Sequence, residues 1–159
     1  MRRTLAFARL FVVALPIAAC GGSDDVPPGD DEHYDCSMET RADTFVVGLE
    51  KVSPAGAHFI LMSANPAPPG RGDNDFVLHL EDSSLAPMTG ASLTIRPYMP
   101  DHGHGTAVPV IITEHAATPG EYELDPVNFH MPGLWQVLMS SGTPVNEQNT
   151  ATFAFCIPG

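Results

Sequence analysis

Basic side chains are scarce in this sequence: 7 Lys and Arg stand against 19 Asp and Glu in 159 residues, a formal net charge of −12. Phosphate backbones are gripped by clustered Lys and Arg, so nucleic acid is excluded as a partner. Apolar runs are short as well. The longest, residues 10–18, falls well below the length needed to cross a bilayer as a helix. A sustained apolar period of 3.6 is missing from the chain after residue 33, and 16 prolines and 14 glycines punctuate the sequence, so a substantial helix there is not expected. There is no glycine-rich phosphate loop, nucleophile elbow, paired CxxC motif or internal repeat. Since no serine or cysteine sits in a recognisable nucleophilic setting, the protein reads as a non-enzyme.

What is present at the start is a targeting signal. Arg2, Arg3 and Arg9 precede or flank the apolar run, which ends in Ile17-Ala18-Ala19-Cys20. This order resembles the bacterial lipobox, in which small residues admit a signal peptidase and the cysteine becomes the lipidated first residue. The expected organisation is a lipoprotein signal peptide over residues 1–19, lipidated Cys20 opening a flexible acidic tether over residues 20–33, and a folded domain over residues 34–159. Acyl chains would then hold the protein to a bacterial membrane outside the cytoplasm. Gly21 follows the cysteine in place of the aspartate that marks inner-membrane retention in enteric bacteria, which fits an outer-membrane or periplasmic-face address. Residues 1–19 hold three of the basic residues and no acidic one, so the remainder carries a formal −15. Cationic metal ions suit such a field.

Of the three cysteines, lipidation would use one and leave Cys36 and Cys156. In an oxidising compartment an isolated pair is expected to form a disulfide. Closing a loop of that size contributes up to ~4 to 5 kcal/mol in the chain-entropy model.

Short β-type runs separated by turn residues fill the domain. Residues 44–49 and 58–63 read as a pair around Ser53-Pro54-Ala55-Gly56. Further strands are expected at residues 75–81, 91–97, 108–113, 120–124, 127–129, 134–139 and 150–156. In the third run Phe76, Leu78 and Leu80 alternate with Val77 and His79, as in a half-buried strand. About seven to nine short strands without helices imply an immunoglobulin-like antiparallel β-sandwich. Trp135, the only tryptophan, shares a face with Val137 and belongs to the core.

Histidine and methionine carry the functional signal. The chain has His33, His58, His79, His102, His104, His115 and His130, with Met88, Met99 and Met131 near several of them. Imidazole suits copper, zinc and nickel, while a thioether selects copper, above all Cu(I). In the stretch Tyr98-Met99-Pro100-Asp101-His102-Gly103-His104-Gly105 the two histidines are two residues apart, so in extended backbone both point the same way. Asp101 suits either a ligand or an outer acceptor for an imidazole N–H. Met99 shares the parity of Leu93, Ile95 and Pro97, which leaves it between core and site. In Phe129-His130-Met131-Pro132-Gly133, Met131 falls on the core-side parity and His130 on the other.

Taken in order, Gly72-Asp73-Asn74, the MPDHGHG stretch, Gly120-Glu121-Tyr122 and Phe129-His130-Met131-Pro132-Gly133-Leu134-Trp135 resemble the YtkA-like domain, with a core at about residues 72–139. That family is related to the FixH proteins. The resemblance implies a small extracytoplasmic β-sandwich, often lipid-anchored, and by analogy with FixH-like members a role in copper handling. Its recognisable positions fall here on Met99, His102, His104, Met131 and Trp135. A transmembrane helix of the FixH type is not evident. The expectation is therefore a lipid-anchored, non-catalytic copper module that sequesters or transfers the ion through His102, His104, Met99, Met131 and His130. The competing expectation is a structural or interaction sandwich that binds an extracytoplasmic protein and in which the HGHG loop is only a turn.

Overall fold

The computed structural model describes residues 34–159, so the signal peptide, Cys20, the tether and His33 lie outside the described residues. The strands are β1 (Leu49–Val52), β2 (His58–Asn65), β3 (Gly72–Glu81), β4 (Leu93–Met99), β5 (His104–Gly105), β6 (Ile111–Glu114), β7 (Glu121–Phe129), β8 (Gly133–Ser141) and β9 (Thr150–Ile157). They form a five-stranded sheet in the order β1-β2-β3-β7-β6 and a four-stranded sheet in the order β5-β4-β8-β9. Every named pairing is antiparallel. Two single 3₁₀ turns, Cys36–Met38 and Glu147–Asn149, are the only helical elements among the described residues. With β2-β3-β7-β6 taken as A-B-E-D and β4-β8-β9 as C-F-G, the order is that of an immunoglobulin domain.

Alternation builds the core. Phe76, Leu78 and Leu80 of β3 are fully buried and face Trp135, Val137 and Met139 of β8, with Phe129 and Phe153 beside them. Phe129 stacks obliquely on Trp135 at 5.3 Å between ring centres. Trp135 therefore has the core position expected of it. Its indole N–H donates to the Met131 carbonyl at 3.0 Å, which meets the one polar demand that burial leaves.

Three strand expectations need correction. Residues 44–48 are not a strand. Gly48 has φ +83°, Leu49 N–H donates to the Val46 carbonyl, and the turn leaves Val46 and Val47 exposed, so β1 begins only at Leu49. The β6 strand also starts late, at Ile111 rather than residue 108. Residues 120–124 and 127–129 join into one strand, β7. Its Pro126, which cannot donate to a ladder, sits where the register with β3 shifts and beyond the end of the β6 pairing at Asp125.

Cys36 and Cys156 form the expected disulfide, across a sequence separation of 120 residues. It fastens a strap, residues 34–45, beside β9. The strap is also hydrogen-bonded there: Asp43 N–H donates to the Ala154 carbonyl at 2.7 Å, and Ala154 N–H returns to the Asp43 carboxylate at 2.8 Å. Among the described residues no helix is long and apolar enough to cross a membrane.

Candidate metal-binding rim

The HGHG loop closes a hairpin at one end of the sandwich. Tyr98 pairs with Gly105 and Met99 with His104, so the second histidine stands at the start of β5 rather than in open loop. Gly103, at φ +71°, makes the reversal, and its N–H donates to the Met99 carbonyl at 2.9 Å. Gly105 is needed for a different reason: a Cβ there would lie 2.6 Å from the Pro97 carbonyl oxygen. The two glycines thus set the path that carries His102 and His104, both exposed, at the rim.

A third imidazole joins them from the other motif. The ring centres of His102 and His104 are 5.7 Å apart, and those of His104 and His130 are also 5.7 Å apart. His130 in turn stands edge-on to Trp135 at 5.2 Å. The result is an unbroken row of three imidazoles, with His104 in the middle and the core tryptophan behind one end. His104 Nδ1 lies 3.2 Å from its neighbour's Gly105 carbonyl. Arg71 Nε donates to the His130 carbonyl at 3.3 Å, which ties the loop before β3 to the same corner. Among the described residues no group of three His, Cys, Asp or Glu side chains is arranged to hold a metal ion. The three rings are neighbours and do not converge.

The methionines divide. Met99 is fully buried and is counted in the hydrophobic core. A Cβ added at Gly133 would meet the Met99 methyl carbon at 2.6 Å, so this glycine leaves the notch that the side chain fills. That contact joins the two motifs physically, the methionine of the first plugging the glycine of the second. Met131 is half-buried, packed against the core's edge next to His130.

Asp101 is taken by a partner that the sequence did not reveal. Arg41 of the strap grips its carboxylate with both arms of the guanidinium, Nη1 to Oδ1 and Nη2 to Oδ2, each at 2.7 Å. This fork holds the Asp101 carboxyl below its usual range. Glu39 binds the same guanidinium through Nε at 2.9 Å and Nη2 at 2.7 Å, and is itself held down to about 2, first by that arginine. Sixty positions separate Arg41 from Asp101. No spacing or motif announces the pair.

The family described as YtkA-like matches residues 55–140, more than half of the chain, and the match takes in both motifs of the rim. No curated protein matches the chain.

Proposed function

The chain belongs to the YtkA-like family, and from that premise we propose that it is a non-catalytic, lipid-anchored extracytoplasmic module that binds copper at this rim for sequestration or transfer. The row of His102, His104 and His130 carries the reading. An imidazole nitrogen sits about 2 Å from a bound ion, so two rings sharing one ion have centres roughly 5 to 6 Å apart. Both measured spacings of 5.7 Å fall in that range. What binding still requires is rotation of exposed rings, a fast motion for such side chains.

In this reading His104, flanked by both other rings, contributes in every pairing, with His102 or His130 beside it. Met131 supplies the soft thioether that favours copper over zinc. Met99, filling the Gly133 notch, holds the hairpin in place from the core side. A rim site that keeps its donors half in solvent suits an ion that must be passed on. The disulfide accords with an oxidising compartment. Attachment through Cys20 is tested separately, by loss of the lipid mass from the membrane fraction in Cys20→Ser.

One observation favours the other reading, a protein-interaction sandwich with the HGHG loop as a turn: among the described residues no three His, Cys, Asp or Glu donors are already arranged around a point. Copper(I) titration against a competing chelator decides between them. The double variant His102→Ala/His104→Ala is expected to lose about a hundredfold or more in affinity, beyond the roughly 10- to 100-fold typical of outer-shell changes. Unchanged affinity removes the rim as the site.

A further inference from the structure

We propose that Arg41 is a positioning residue for the rim: the disulfide-fastened strap uses its guanidinium to hold Asp101, and through it the backbone that presents His102. This deepens the copper reading and rests on it for its effect on affinity, though not for its effect on the loop itself.

Four observations converge. The Arg41 fork meets Asp101 with two parallel 2.7 Å bonds, the geometry in which a guanidinium fixes a carboxylate's plane as well as its place. Asp101 immediately precedes His102, inside the turn between Met99 and His104. Arg41 itself is not a free arm. Glu39 grips it from the strap side, accepts from the Arg41 backbone N–H at 2.8 Å, and receives the Tyr34 hydroxyl at 3.0 Å. The Glu39 side chain is only 6% exposed, so this end of the relay is built into the domain. Finally, the strap has fixed points on both sides of the arginine: the Cys36–Cys156 bond before it and the Asp43–Ala154 pair after it.

A surface ion pair by itself contributes little, because two mobile chains must be ordered to make it. Here most of that ordering is already done by Glu39 and the strap. The remaining free end is the turn, and the fork restrains it. Copper would then find the His102 backbone in place and would have only rings to rotate, which lowers the ordering that binding requires. Outer-shell partners of metal sites act in this way, and Arg41 reaches the site through Asp101 without touching a ligand.

The test uses the full chain in detergent, with Arg41→Ala, Arg41→Lys, Asp101→Asn and the double variant Arg41→Ala/Asp101→Asn. Two quantities are read: copper(I) affinity by chelator competition, and backbone ¹⁵N order parameters of residues 101–105 without metal. Arg41→Ala is expected to weaken copper about five- to tenfold and to lower the metal-free order of the turn. Arg41→Lys, which cannot fork, recovers only part. The double variant is expected to be no worse than either single one, whereas additive losses would mean that Asp101 acts on the metal independently and would overturn the latch. Unchanged affinity in Arg41→Ala, with His102→Ala/His104→Ala defective, also overturns it while leaving the copper site standing. If the histidine variant binds copper normally, the site reading fails and the order parameters alone judge the latch: a loosened turn supports it and an unchanged turn overturns it.

Discussion

Two sets of three histidines occupy this domain, and they keep different company. On the large sheet His58 contacts Glu50, His79 Nε2 lies 3.3 Å from Glu81, and His115 Nδ1 lies 2.7 Å from Glu121 with Glu123 at 3.6 Å from its other nitrogen. Register places His58 opposite Glu81 and His79 opposite Glu121, so imidazoles and carboxylates alternate across the outer face. At the rim His102, His104 and His130 have one another, a carbonyl and the edge of Trp135, and the Asp101 carboxylate next to His102 is already held by Arg41. The hydrogen bonds to Glu121 and Glu123 favour the protonated ring of His115, and a protonated ring has no lone pair for a metal. The same residue type thus keeps carboxylates beside it on the large sheet and other imidazole rings beside it at the rim.

The rim depends on its backing, and removing that backing is the most damaging way to probe the comparison. Trp135→Ala takes a fully buried indole from between Phe129 and His130 and is expected to lower stability by about 3 to 5 kcal/mol. Urea unfolding measures the loss. A cost near zero would mean that the two sheets do not pack through this ring. A milder probe leaves the fold intact. Substoichiometric copper(II) is expected to broaden the imidazole proton signals of His102, His104 and His130 while those of His58, His79 and His115 stay sharp. Broadening of the sheet set first would reverse the assignment of roles.

How the two sets divide was only partly written in the sequence. Alternation in residues 75–81 placed His79 on the face opposite Phe76, Leu78 and Leu80, because a strand's period of two is a local property. The HGHG stretch departs from that rule: residues 101–103 form a turn with Gly103 at φ +71°, so His102 and His104 are not related by the parity of extended backbone. Parity left Met99 between core and site, and the structure buries it; it put Met131 on the core-side face and His130 on the other, and the structure has Met131 half-buried and His130 exposed. What could not be read was which neighbour each histidine meets, since that is set by register between strands far apart in the chain. The Arg41–Asp101 fork and the His104–His130 contact both depend on it. Local pattern misled at residues 44–48, where Val46 and Val47 suggested a strand but Gly48 turns the chain before β1 begins.

The gentlest probe concerns His115, where the two kinds of environment can be interchanged. Its proton is held above the usual histidine range, first by the hydrogen bond to Glu121 and further by Glu123. A raised value in the folded state means that the pairing adds stability fully below the unfolded histidine's titration, near 6.5, and that this is lost as pH rises through the folded one. Glu121→Gln removes the main cause, so the His115 titration followed by NMR is expected to move down and the variant's deficit to appear in mildly acidic buffer and vanish in alkaline buffer. Because the pair is on the surface, the stability change should be small and should shrink with added salt. The informative outcome is the titration at the rim. If the His104 signal moves with Glu121→Gln, the two sets are electrostatically one, and the acidic sheet reaches the rim imidazoles; if His115 alone moves, the two sets are separate.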